Sequence, residues 1–115
     1  MMERRRVVGI TSLGLVVLLT SGIVRADEFG DHITEAITHA RAAVEQGERG
    51  NLAGLEEHAL MALQHARAAA EIRGDFRLDD AIELLYRAAA HASVNQLAIA
   101  LENVQEALAE LRAVY

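Results

Sequence analysis

The chain contains no cysteine, no proline, no tryptophan and no lysine, and only two tyrosines and two phenylalanines among its 115 residues. Without cysteine there is no disulfide, no thiolate metal site, no c-type haem attachment and no thiol nucleophile. The lack of proline fits a chain that is helical almost throughout, because proline would remove a helix hydrogen bond and clash with the preceding turn. Few aromatics and many alanines point to closely packed helices and away from a sheet.

Residues 1–26 read as a segment to be set aside. Glu3-Arg4-Arg5-Arg6 is a basic start, 7–24 is an apolar run broken by Gly, Ser and Thr, and Val24-Arg25-Ala26 ends on the small residue a secretory cleavage site needs. The division expected is a signal peptide over 1–26 and a single domain over 27–115. No cysteine follows the run, so it is not a lipoprotein signal. Adjacent arginines and a short apolar core look bacterial, which places the remainder in the periplasm. Cleavage would remove Arg4, Arg5, Arg6, Arg25 and Glu3. The 11 basic residues then fall to 7 and the 17 acidic residues to 16, a net charge of −9 with histidine neutral. That balance disfavours nucleic acid and anionic membrane surfaces as partners and suits cationic ligands, metal ions included.

Four amphipathic segments separated by short turns follow. The first, over 31–46, has Ile33, Ile37, Ala40 and Val44 on one face with Ala36 and Ala43 beside them, Asp31 as N-cap, and a stop at Gly47-Glu-Arg-Gly50. The second, over 51–73, is capped by Asn51, carries Leu55, Ala59, Ala62, Leu63, Ala66 and Ala70, and ends at Gly74. The third, over 76–91, is capped by Asp75 and carries Leu78, Ile82, Leu85 and Ala89. Ser93-Val-Asn-Gln96 reads as a capping box for the fourth, where Val94, Leu97, Leu101, Val104, Leu108 and Leu111 recur in threes and fours. Turns this short make neighbours antiparallel, so the expected fold is all-α, an up-down-up-down four-helix bundle. The segments' polar faces are acidic, whereas helices lying on a membrane would be basic.

Histidine is what this sequence places with regularity. His32-Ile-Thr-Glu-Ala-Ile-Thr-His39 and His58-Ala-Leu-Met-Ala-Leu-Gln-His65 each hold two histidines seven residues apart, and each runs on into Ala-Arg-Ala-Ala. A seven-residue step keeps both on one helical stripe but roughly 10.5 Å apart along the axis, so one ion cannot bridge them within a helix. His39 and His58, and likewise His32 and His65, are equidistant from the middle of the first turn. His58 and His91 are equidistant from the second. Hence His39, His58 and His91 should share one level of the bundle and His32 and His65 another. All sit on the flank of the apolar faces. For one hand of bundle, His32, His39, His58 and His65 line the groove between the first two helices; for the other, His58 and His65 face His91 across the second and third. Glu35 precedes His39 by four and Glu28 precedes His32 by four, so each can share its histidine's face. Met61, between His58 and His65, reads first as packing at the core's edge, although its thioether would suit a soft ion. The expected metal ligands are therefore His32, His39, His58, His65, His91 and Glu35, with Met61 or Glu110 as further donors.

His32 to Arg41, Leu55 to Ala69 and Gln-Glu-Ala-Leu-Ala-Glu-Leu-Arg-Ala over Gln105 to Ala113 resemble the small metal-binding protein family. The resemblance implies a secreted, periplasmic four-helix bundle that takes up copper and other divalent ions without catalysis. The five histidines are the positions that carry over. The stripes continue onto Gln46, Ile72, Arg77, Leu84, Asn103 and Glu110, and the chain ends Arg112-Ala-Val-Tyr115 with no histidine tail, so the capacity implied is one or two sites. Cu(II) is the favoured ion, with Ni(II) and Zn(II) following. The sequence secures no nucleophile–base pair, phosphate loop or open-site metal triad, and no enzyme activity is expected. The alternative is a helical interaction or chaperone-like bundle that kept the scaffold and lost most ligands, with Leu84 and Tyr86 on a partner surface.

Overall fold

The structure, a computed structural model, describes residues 28–114. They form four helices: α1 over 28–48, α2 over Leu52–Ile72, α3 over Phe76–Ser93 and α4 over Leu97–Arg112. No strand occurs among the described residues. The expected leader lies outside them.

Consecutive helices pack side by side, α2 on α3 and α3 on α4, while α2 and α4 barely touch. The circle closes where α1 meets both α2 and α4 around Gly47. A Cβ there would lie 2.7 Å from Leu55 Cδ1 and 2.9 Å from Leu101 Cδ1, so the absent side chain is what lets the last turn of α1 approach its two neighbours. The result is the up-down-up-down bundle read from the turn lengths.

The core is built from alanine and leucine. Ile33, Leu55, Leu78, Leu85, Val104 and Leu111 are fully buried, and alanines from all four helices fill the space between them. Each apolar face is centred on these alanines, so the helices come close. Ile37, Val44, Ala70, Ile82, Leu97 and Leu101 form a half-buried rim. No polar or charged residue is buried among the described residues.

The turns account for the differences from the expected boundaries. Asp31 is not an N-cap, because α1 already covers 28–30, and Phe29 joins the core with the Arg73 guanidinium 3.8 Å above its ring. α1 ends in a Schellman turn. Gly50 takes φ 78°, its N–H donates to Gly47 O, and Asn51 N–H donates to Gln46 O. Asn51 then caps α2 by accepting from Gly54 N–H, and Asp75 caps α3 by accepting from Arg77 and Leu78 N–H. α2 stops because Arg73 turns extended, at φ −149° and ψ 128°, and not through a left-handed Gly74. Ser93-Val-Asn-Gln96 is no capping box. Ser93 is the last residue of α3 and its hydroxyl donates to Ala90 O; Gln96, which caps α4 through its backbone alone, makes no side-chain cap bond. Asn95, at φ 64°, closes a second Schellman turn in which Gln96 N–H donates to His91 O. That leaves Val94 in the turn, 62% exposed, and outside the core face assigned to it.

Candidate metal centre

The five histidines occupy the flanks, all half-buried. The realised hand brings α1 and α2 together on the histidine side. His32 Nδ1 lies 3.0 Å from His65 Nδ1, and His39 Nδ1 lies 3.2 Å from His58 Nδ1. These are the two levels expected from the mirror symmetry about the first turn. They form two rungs across one groove, with ring centroids 5.2 and 5.5 Å apart and planes inclined at 37° and 25°.

A third contact joins the rungs. The rings of His39 and His65 are nearly parallel, 6° apart in plane and 5.8 Å between centroids. Level counting misses this diagonal because it places side chains at the height of their Cα atoms. Helical Cα–Cβ bonds tilt towards the helix N-terminus. In an antiparallel pair His39 leans down α1 while His65 leans up α2, so the two approach each other between levels. His32 and His58 lean apart. The four imidazoles thus form one ladder in the order His32, His65, His39, His58.

Glu35 extends the ladder at its centre. Its Oε1 lies 3.9 Å from His39 Nε2, and donor atoms of Glu35, His39 and His65 all fall within 4.8 Å of one another. Burial at the edge of the core pushes the His39 imidazole below its ordinary pKa. His58 and then His65 push it the same way, and the Glu35 carboxylate partly opposes them. The shift favours the neutral imidazole, the form that coordinates metal.

His91 stays apart. With this hand the flanks of α3 and α4 face each other in their own groove, and His91 Nδ1 donates to Gln96 Oε1 at the α3–α4 turn. It shares no ring contact with the other four, so the common level expected for His39, His58 and His91 does not bring them together. Glu110 lies with Asp80, Glu83, Leu84 and Arg87 around a hollow of about 210 Å³, away from the ladder. Met61 is half-buried and lines a second hollow of about 500 Å³ with Leu60 and Leu63. Leu84 packs against the core, which reduces the suggested partner surface on α3 to the exposed Tyr86.

The spacing of the rungs bears directly on metal binding. With metal–nitrogen bonds of about 2.0–2.1 Å, two nitrogens on one ion are about 2.9 Å apart at a right angle and about 3.3 Å at the tetrahedral angle. Both rung distances fall in that interval. A proton between the two Nδ1 atoms closes each rung when one ring is the Nδ1–H tautomer and donates while the other accepts. Replacing that proton by an ion keeps the nitrogens where they already are.

Fold and site together define an antiparallel helical bundle whose seam presents paired imidazoles at ligand spacing. The chain belongs to the small metal-binding protein family, whose model matches residues 4–114. No individual curated protein matches it.

Proposed function

We propose that this protein binds and buffers divalent transition-metal ions in the periplasm, without catalysing a reaction. The ions are held by the imidazoles of His32, His39, His58 and His65 with Glu35 at the centre of the ladder. The observation that carries the reading is the pairing of Nδ1 atoms from separate helices at 3.0 and 3.2 Å. Family membership supports the ligand class. Imidazole donors suit Cu(II), which also stands highest in the usual affinity order; Ni(II) and Zn(II) bind more weakly. The basic start, apolar run and Ala26 cleavage signal support export. A chain with no lysine and a negative mature charge has no evident attraction to nucleic acid, or to anionic membrane once the leader is cleaved. Its partners are the ions.

Isothermal titration with Cu(II), Ni(II) and Zn(II) tests this. Saturable uptake is expected, tightest for Cu(II), and abolished in the double variant His39→Ala/His65→Ala, which leaves no rung and no diagonal intact. Uptake that survives in that variant, or is absent from the unaltered chain, would refute the assignment.

A further inference from the structure

The two rungs are not independent, because each lends a ring to the diagonal. His65 belongs to the rung with His32 and also lies against His39; His39 belongs to the rung with His58 and also lies against His65. Glu35 adds a carboxylate to the diagonal, and no other three carboxylate or imidazole groups among the described residues converge as Glu35, His39 and His65 do. A neutral imidazole offers one lone-pair nitrogen at a time, the other being protonated. An ion held on the diagonal therefore occupies the two rings that both rungs require.

Resting on the metal-binding reading above, we propose that the ladder loads in two mutually exclusive modes. The first ion takes the diagonal, where it meets three donors and a negative charge. The second enters only when the first gives up one imidazole, and the ladder then resolves into the two rungs, His32 with His65 and His39 with His58. The second state offers two imidazoles per ion and sets two dications along one seam. The uptake steps are consequently unequal, and the protein buffers metal at two set points.

Titration of the full chain with Cu(II) alone, read by heat and by the nitrogen hyperfine pattern of the bound ion, tests the proposal. The unaltered chain should take a first ion at least about tenfold more tightly than a second, the least that one supporting group typically contributes at a metal site. The variant His32→Gln/His58→Gln keeps the diagonal, so it should retain the first step and lose the second. Glu35→Gln should weaken the first step by roughly 10- to 100-fold, the loss seen even for carboxylates outside the ligand shell, and bring the two steps together. Circular dichroism of each variant separates these outcomes from loss of fold. Two equal steps in the unaltered chain, with His32→Gln/His58→Gln weakening both alike, would overturn the two-mode ladder while leaving metal binding intact. No uptake by the unaltered chain would overturn both.

Discussion

The α1–α2 and α3–α4 hairpins are closed by the same kind of turn. In each, a residue in the left-handed region, Gly50 or Asn95, is followed by a residue whose N–H reaches back to the last turn of the helix. Both hairpins press alanine and leucine into the same core, and both turn their flanks towards each other. What differs is the chemistry along the seam. Between α1 and α2 it is four imidazoles in contact with a carboxylate beside them. Between α3 and α4 it is Leu84, Glu110 and a Glu83–Arg87 ion pair, with a single histidine tied to Gln96 at the end. The fold is therefore indifferent to what lies on the flanks, and one scaffold carries a seam of paired histidines and a seam without them.

If the core is common to both hairpins, truncating it in either should cost the same. Leu55 on α2 and Leu85 on α3 are both fully buried. Leu55→Ala and Leu85→Ala are each expected to lower stability by about 2–5 kcal/mol, from lost transfer energy and the cavity left behind. Urea unfolding measures both. A large cost on one helix and almost none on the other would mean that the hairpins do not share one core.

Much of this was legible in the residues. Alanine-rich faces at helical period and three short turns specified four antiparallel helices, and mirror counting about the first turn specified which histidines pair. Four things were not. Handedness depends on how the helices pack in three dimensions, and it decides whether His91 faces α2 or α4. The diagonal between His39 and His65 depends on the tilt of Cα–Cβ bonds, which level counting ignores. Ser93-Val-Asn-Gln96 satisfies the pattern of a cap before a helix, yet its asparagine tolerates the left-handed conformation and ends the preceding helix instead. Phe29 was missed because Asp31 looks like a helix start, although the helix already runs through it.

The seams should also part company with pH. His39 titrates below its ordinary value in the folded chain, chiefly through burial and then through His58 and His65. The unfolded chain therefore binds this proton more readily than the folded one. The stability linked to His39 is whole above about pH 6.5, the ordinary histidine value, and is lost as pH falls through the lower folded value. Thermal midpoints at pH 8 and pH 5 should show a larger fall for the unaltered protein than for His39→Gln. An equal fall in both would place the acid sensitivity elsewhere. Cu(II) bound to the ladder should raise the midpoint at pH 8 and do so less at pH 5, since protonated rings cannot coordinate.

The finest difference between the hairpins lies in the turns. Gly50 adopts φ 78° with open space around the position where a Cβ would be, so Gly50→Ala meets no neighbour and pays only for the left-handed backbone, about 1 kcal/mol. Asn95 already carries a side chain at φ 64°. Asparagine relieves part of that strain through local hydrogen bonding, and glycine would relieve the rest but lose entropy on folding, so the gain from Asn95→Gly is a few tenths of a kcal/mol at most. The two substitutions thus move stability in opposite directions through the same backbone geometry. Denaturant midpoints for the pair decide the matter: a loss at residue 95 as large as the one at residue 50 would show that the Asn95 side chain holds the turn by more than its tolerance of positive φ.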